Sequence, residues 1–272
     1  MDPDRYCVDQ AAPPGSSLHY ATLFVGARER AVLVAIHALR HVLVAVLDSI
    51  GDANVRARKL NWWSDEILEA RDGRARHPVA VAITRHCGTR LWHRPEVLAM
   101  LAAIGGVSTA NGLASEAARN RFCEDVGGGT AQLCASAVAF DSRGVAPRDI
   151  RIPGAVLEGA ILAGAPIARS GLRRIPDPAT GNRNGDGGRE SPGMEHRIAE
   201  ERTRARKLLA DAARSMPRGA GPATLVYRTL ADIQLAALAN ALRKPARAAP
   251  QVVSIAPIRK LWIAWRNARR DR

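Results

Sequence analysis

The chain has 272 residues, of which 47% are hydrophobic and only 4% are aromatic. This length suffices for one large domain or two small ones, and long runs of β-branched residues, which favour strands, are few. This composition favours helices. The four cysteines include no CxxC pair and nothing resembles a disulfide framework, so we expect a reducing compartment, the cytoplasm.

The formal net charge of +14 is concentrated in the last third of the chain. The segment from Arg169 to Arg272 contains 22 Lys and Arg residues against 9 Asp and Glu residues. Such an excess suggests an anionic partner: phosphate groups, acidic lipid or nucleic acid. The alternative is that these arginines only cover solvated faces. Nucleic acid is the least favoured partner, because no helix-turn-helix, zinc-finger or stacking-aromatic signature supports it.

Apolar periodicity and turn residues predict an all-α fold, with nine to eleven helices in a single domain over residues 1–272. The predicted helices span residues 28–49, 53–71, 79–86, 94–104, 113–140, 153–174, 194–215, 222–242 and 255–270. Residues 105–112 are predicted to be a weakly structured break. Pro, Gly and Asn predict a mobile loop over residues 175–193, and residues 244–250 have the composition of a linker.

Residues 1–16 are predicted to form an irregular arm, after which Ser16 or Ser17 caps the first helix. The predicted helix over residues 28–49 is almost continuously apolar, but His37, Arg40 and His41 interrupt it. It is therefore too polar for a membrane span and is typical of a buried helix in a bundle.

The glycines at 127–129 lie inside the predicted helix over residues 113–140. Each glycine costs about 1 kcal/mol in a helix interior, so three in a row indicate close contact with another helix or the floor of a pocket. A phosphate-binding loop is the alternative, although the Lys and Ser/Thr pattern of such loops is missing.

Several pieces of the sequence together point to one enzyme family. They are DRYCVDQAAPPGSSLHYATLF at 4–24, AVLVAIHALR at 31–40, ARKLNWWSDEI at 57–67 and HPVA at 77–80, with weaker matches in RFCEDVGGGTAQL at 121–133 and IRKLWIAWR at 258–266. The chain thereby resembles squalene/phytoene synthases, and most of all bacterial presqualene-diphosphate synthases, over nearly its whole length. The resemblance implies the isoprenoid-synthase helical bundle.

Members of this family join two prenyl diphosphates head to head. The resemblance implies two aspartate-rich motifs on facing helices, which hold the magnesium ions that bind the diphosphates. Carboxylates four residues apart on a helix face the same way, and Mg²⁺ prefers such hard oxygen ligands. The metal neutralises the leaving diphosphate while a carbocation forms.

The resemblance places the first motif at residues 44–48, where the chain has Val-Ala-Val-Leu-Asp. Asp48 is the carboxylate that remains there, and Asp52 follows four residues later, beyond Gly51. His37 stands where the family has a substrate-gripping tyrosine, and His41 stands where it has an arginine.

The second motif of the family aligns with residues 170–178. Arg174 replaces one metal-binding aspartate and Pro178 another, while Asp177 remains. Two unit charges 4 Å apart interact by about 4 kcal/mol at an effective dielectric of 20, and a divalent ion doubles that, so Arg174 should repel Mg²⁺. Arg173, Arg174 and Arg183 could instead hold a diphosphate directly; the alternative is that they border a solvated loop.

Because both aspartate-rich motifs are degenerate, no catalytic residue is predicted. The candidate substrate-binding residues are Ser16, Ser17, His37, His41, Arg173, Arg174 and Arg183, and the candidate metal ligands are Asp48, Asp52 and Asp177.

The favoured hypothesis is a catalytically impaired family member that binds a protein partner or a prenyl ligand and needs no cofactor. The resemblance makes this concrete, because a degenerate relative serves mitochondria as an assembly factor for respiratory complex I. The alternative is an active prenyl transferase in squalene, hopanoid or carotenoid biosynthesis, which would require Mg²⁺.

The C-terminal helix carries Trp262 and Trp265 among the basic residues Arg259, Lys260, Arg266, Arg269 and Arg270. This composition is typical of a helix at a membrane interface and suggests peripheral contact with an acidic membrane, the inner face of the cell membrane. The alternative is a docked helix with a basic outer face.

Overall fold

The computed structural model describes residues 1–48, 53–109, 113, 115–139, 150–164, 192–243 and 253–271. Within these ranges the chain forms helices and no strand, which confirms the predicted all-α class. The α-helices are α1 (Pro3–Ala11), α2 (Ser17–Ala21), α3 (Ala27–Asp48), α4 (Ala53–Arg71), α5 (Pro78–Cys87), α6 (Pro95–Thr109), α7 (Glu116–Phe122), α8 (Gly129–Val138), α9 (Arg151–Gly164), α10 (Pro192–Ser215), α11 (Pro222–Leu242) and α12 (Pro257–Asp271). A 3₁₀ helix covers Thr89–His93, and a π-helical segment, Cys123–Gly128, joins α7 to α8.

Most helices lie where their apolar pattern predicts them. α4 and α11 have the predicted bounds, and α3, α5 and α12 differ from prediction by one or two residues at an end. The predicted long helix over residues 113–140 is helical from Glu116 in its described part, as α7, the π-helical segment and α8 in succession, whereas Leu113 and Ser115 lie before the helix and Ser115 caps it. Most of the apolar side chains that recur with the helical period in these segments pack into the core, so the local pattern is sufficient to predict these helices.

The prediction of an irregular N-terminal arm is wrong for residues 3–11, which form α1. Asp2 caps this helix by accepting hydrogen bonds from the backbone N–H groups of Asp4 and Arg5, both at 3.3 Å, and Pro3 follows the cap. Aspartate at the cap and proline in the first turn are both favourable there. α1 packs against α3 and α5, and its Cys7 is buried.

The predicted break after residue 104 is also wrong at its start, because α6 continues through Gly105 and Gly106 to Thr109. A Cβ on Gly106 would meet no atom within 4 Å, and one on Gly105 would lie 3.9 Å from Leu60 of α4. α6 packs against both α3 and α4, and these contacts outweigh the helix propensity that the two glycines lose, about 1 kcal/mol each.

The predicted loop over residues 175–193 lies mostly outside the described residues. Its last two residues, Pro192 and Gly193, are not loop but the first turn of α10, where proline lacks only an N–H that has no helical partner. The predicted linker over residues 244–250 lies outside the described part of the chain.

α3 is the central helix. It packs against α1, α5, α6 and α8, and its side chains Leu33, Ile36, Leu39 and Leu43 are fully buried. Among the described helices, the stretch Ala27–Leu47 alone is long and apolar enough to cross a membrane by length and composition, and half of its most apolar window is buried within the protein. This burial is what the sequence predicts for the core helix of a bundle.

Candidate functional site

The two serines before the central helix, Ser16 and Ser17, lie at the start of α2. The Ser16 hydroxyl accepts a hydrogen bond from the backbone N–H of His19 at 3.1 Å, so Ser16 is the cap of α2 and Ser17 is its first residue. The carbonyl oxygen of Gly15 accepts a hydrogen bond from Lys260 Nζ at 2.8 Å. This turn therefore fixes α2 and anchors α12. The prediction that Ser16 or Ser17 caps a helix is confirmed, and their contact with substrate remains a prediction.

The two predicted histidines, one turn apart on α3, lie in different environments. His37 is inside the bundle, where its ring lies 5.6 Å from the ring of Tyr227 on α11 and its buried Nε2 has no hydrogen-bond partner among the described atoms. Burial, with a further contribution from the charge of Arg40, lowers the pKa of His37 to about 3. His41 is exposed. At neutral pH, His37 is therefore an uncharged group within the helical core.

Arg40 of α3 and Glu158 of α9 form an ion pair across the middle of the bundle. Arg40 Nε donates to Glu158 Oε2 at 2.8 Å, and Nη2 donates to the other carboxylate oxygen. The Glu158 side chain is 3% exposed. Burial by itself lowers the pKa of Arg40, but the charge and hydrogen bonds of Glu158 outweigh burial and raise it. Arg40 therefore stays charged, with both oxygens of Glu158 as its hydrogen-bond acceptors.

The groups around this pair are neutral. Burial raises the pKa of Tyr227 far above its ordinary value, and burial followed by the charge of Glu158 raises the pKa of Cys123 to about 12. Burial raises the pKa of the Cys134 thiol, and its hydrogen bond with Tyr227 lowers that pKa by less. No nucleophile in this part of the described core is therefore ionised at neutral pH.

Close packing brings α9 directly against the π-helical segment. A Cβ on Gly127 would lie 2.4 Å from the Cβ of Glu158 and 2.6 Å from the carbonyl oxygen of Gly154. A Cβ on Gly154 would in turn lie 2.6 Å from the Gly127 carbonyl oxygen. Of the two interpretations of the glycine run, helix contact is therefore the observed one at Gly127, and the contact positions Glu158 opposite Arg40.

The model of the family described as squalene/phytoene synthase matches residues 12–152, which is more than half of the chain. The chain belongs to the squalene/phytoene synthase family. Among curated protein sequences, none matches it.

Two solved structures of synthases share the fold of this family member. Squalene synthase HpnC from Alicyclobacillus acidocaldarius superposes with a TM-score of 0.62 at 18% identity, covering 89% of this chain and 95% of that one. A dehydrosqualene synthase in complex with ligand superposes with a TM-score of 0.61 at 13% identity, covering 97% of this chain and 95% of that one. These likenesses confirm the predicted isoprenoid-synthase bundle.

The magnesium ions implied by the family find no fitting ligand set in the described core. The facing polar groups of α3 and α9 are Arg40 and Glu158, and both oxygens of this carboxylate accept hydrogen bonds from the guanidinium. No three His, Cys, Asp or Glu side chains converge anywhere in the described residues. A paired carboxylate beside a cation is a poor ligand for Mg²⁺, which requires free oxygen donors.

The other predicted site residues lie beyond what the structure describes. Asp48 ends α3, but its side chain is outside the described part, as are Asp52, Asp177, Arg173, Arg174 and Arg183 in full. Their roles in binding metal or diphosphate stay predictions. Conversely, Glu158 and Tyr227 of this core site are not among the residues predicted from the sequence, and Arg40 is predicted only as an interruption of the apolar helix.

Three cavities open around the described bundle. One of about 340 Å³ lies between α7, the π-helical segment, α9 and α10. A second, of about 440 Å³, lies beside Trp62 and Trp63 of α4. Trp63 is buried against His77, whereas Trp62 is 43% exposed. The third, of about 590 Å³, lies between α10, α11 and α12 and is lined by five arginines.

Proposed function

We propose that this member of the squalene/phytoene synthase family is catalytically impaired and acts by binding an apolar prenyl ligand. The observation that carries the proposal is the ion pair between Arg40 and Glu158. An enzyme of this family must hold cations and diphosphate between facing helices. Here the described side-chain bridge between α3 and α9 is instead a carboxylate neutralised by an arginine, and a second cation would be repelled by Arg40.

The packing at the glycines supports the same proposal. Because Gly127 and Gly154 bring the π-helical segment into contact with α9, the described parts of these two elements leave no room for a prenyl chain between them. The neutral state of His37 adds to this, because an uncharged imidazole gives a diphosphate less attraction than the arginine or metal that usually binds phosphate.

The cavity between α9 and α10, hereafter the α9–α10 cavity, is the candidate for the ligand. Its volume of about 340 Å³ lies at the lower end of the range for small-molecule pockets. Val156, Ala160 and Ala163 of α9 and Leu208 of α10 give it apolar walls.

The charges at the mouth of the α9–α10 cavity are balanced. Arg119 pairs with Glu201 at 2.8 Å, and Arg204 pairs with Glu116 at 2.6 Å. With these arginines already paired, the mouth offers no surplus positive charge to a diphosphate. This balance favours an uncharged prenyl compound over a prenyl diphosphate.

The test of catalysis is turnover. Purified protein is incubated with farnesyl or geranylgeranyl diphosphate and MgCl₂, and released pyrophosphate and extracted products are measured beside an active synthase as positive control. We expect neither. Pyrophosphate release that is abolished by Asp48→Ala would contradict the proposal and establish the alternative, an active prenyl transferase in terpenoid biosynthesis.

The test of binding is calorimetric titration with farnesol and, separately, with farnesyl diphosphate. We expect farnesol to bind the native chain and to bind Leu208→Arg at least tenfold more weakly, because the new guanidinium enters the cavity mouth. Leu68→Arg is the matched control, since Leu68 is 53% exposed on α4, whereas Leu208 is 48% exposed. Equal loss in both variants, or no binding of farnesol, would contradict an apolar ligand in this cavity and leave a protein partner as the alternative.

A further inference from the structure

The inner face of α12 is fully engaged with the rest of the bundle. Lys260, Ile263, Ala264, Asn267 and Ala268 are buried. Lys260 donates to the Gly15 carbonyl oxygen, and Asn267 donates to Asp232 of α11 at 2.9 Å. The interpretation of Lys260 as part of a basic outer surface is therefore wrong, because this residue points inward. This buried face is the one by which α12 packs against the bundle.

The outer face of the same helix is also apolar, and it faces solvent. Ile258 is 73% exposed, Trp262 is 52% exposed and Trp265 is 44% exposed, with Leu261 completing the row at 36%. Spacings of three and four residues place these four side chains on one face, opposite the buried one. A soluble helix gains nothing by exposing two tryptophans in register with two aliphatic residues, so this row, the outer stripe, indicates a docking surface.

Cations accompany the outer stripe. The guanidinium of Arg266 lies 4.8 Å from the ring centre of Trp262, and that of Arg269 lies 5.0 Å from the ring centre of Trp265. Such pairs keep the tryptophan rings and the positive charges at the same depth. A surface that accepts both must therefore offer apolar and anionic groups within one layer.

The cavity of about 590 Å³ opens beside this stripe. It shares Arg266 and Arg270 with α12, and its charged lining consists of five arginines and one aspartate: Arg214, Arg218, Arg228, Arg266, Arg270 and Asp232. Asp232 is already engaged by Arg266 at 3.1 Å. Arg218 and Arg270 are exposed at the rim. Arg214 pairs with Asp211 and Arg228 pairs with Asp271, so Arg218 and Arg270 supply the surplus positive charge of this cavity, which the α9–α10 cavity lacks.

We infer that the outer stripe and the arginine-lined cavity together dock the protein on an anionic phospholipid bilayer. The tryptophans enter the boundary between headgroups and acyl chains, which amphipathic rings prefer, and the arginines bind lipid phosphates. Charge complementarity favours a bilayer over a protein partner, because the stripe is one helix wide and is bordered by cations rather than by a mixed polar rim. This docking is independent of the proposed ligand and of any catalysis.

The first experiment measures flotation with vesicles of phosphatidylcholine alone and of phosphatidylcholine with an equal share of phosphatidylglycerol. We expect the native chain to float with the anionic vesicles, and Trp262→Ser/Trp265→Ser to bind them at least tenfold more weakly. Trp62→Ser is the matched control for an exposed tryptophan elsewhere and should bind like the native chain. Undiminished binding of the double variant, or an equal loss in the control, would overturn the inference.

The second experiment separates this surface from the general attraction of a +14 protein to anionic lipid. Arg218→Glu/Arg270→Glu and Arg90→Glu/Arg121→Glu make the same change in net charge, and all four arginines are exposed. We expect at least a tenfold loss of binding in the first pair and less than threefold in the second, with equal urea midpoints showing that both fold. Equal losses would reduce the effect to net charge and overturn the inference. If the native chain binds neither kind of vesicle, the inference is also overturned, and a protein partner remains as the alternative for the outer stripe.

Discussion

Arg40 and Glu158 are 118 residues apart in the chain, yet their side chains form the two-bond ion pair that joins α3 to α9. A charge left alone in a core costs far more than the pair contributes, because desolvation is then uncompensated. The pair therefore specifies how the two helices face each other, and its removal is informative only when single and double variants are compared.

Glu158→Gln should lower the free energy of unfolding by about 3–5 kcal/mol, because Arg40, whose side chain is only 18% exposed, stays charged without its partner. The double variant Arg40→Met/Glu158→Leu should recover most of this loss, since apolar side chains of similar size can replace a buried pair. Urea unfolding followed by circular dichroism measures both. Glu69→Gln, which breaks the exposed pair with Arg74, is the control and should change little. A double variant no more stable than Glu158→Gln would contradict this account.

The glycines 127 and 129 offer a matched test of the helix contact. In Gly127→Ala the new methyl group would overlap Gly154 and Glu158, so we expect a loss of about 1–3 kcal/mol. In Gly129→Ala it would lie 3.6 Å from the Cβ of Glu96, an ordinary contact, so improved helix propensity should stabilise by up to about 1 kcal/mol. Urea midpoints compare the two, and equal effects would contradict the close approach of α9.

The four cysteines should be unreactive in the folded protein. Burial raises the pKa of Cys7 to about 12 and that of Cys87 to about 11, and it also raises the values of Cys123 and Cys134. Because the thiolate is the reactive form, an aromatic disulfide reagent at pH 8 should label none of them within minutes, and all four in urea. Cys87, which is partly exposed, should react first as denaturant is added. Rapid labelling of a native thiol, identified by Cys→Ser variants, would contradict this order.

Local patterns predicted the helices well but not the contacts between them. α4 and α11 follow from apolar periodicity and from a proline at the start of α11. α1 also has a local signal, the Asp2 cap followed by Pro3. The pairing of Arg40 with Glu158 has a weaker signal: each is the one formal charge in a long apolar stretch, residues 31–47 of α3 and 152–164 of α9. Opposite charges in two such stretches tend to meet because neither can be buried alone.

Contacts set by distant parts of the chain leave no local trace. Lys260 belongs to a basic run, and only the docking of α12 beside Gly15 decides that it is buried while Arg259 stays exposed. The exposure of Trp262 and Trp265 likewise depends on which face of α12 meets α11. A pattern with two apolar faces predicts a helix but cannot select the buried one.

His37 should make the protein less stable as the pH falls from 8 to 5. Its folded pKa is about 3 against an ordinary value of 6.5, because burial and then Arg40 disfavour the protonated ring. Above pH 6.5 the ring is neutral in both states and costs nothing. Below 6.5 the unfolded chain takes up the proton and the folded chain does not, so about 2 kcal/mol of stability is lost by pH 5. Urea unfolding at several pH values measures this slope. His37→Gln should lose it, whereas the exposed His93→Gln should keep it; an unchanged slope in His37→Gln would place the titration on another group, such as His77, whose pKa burial also lowers.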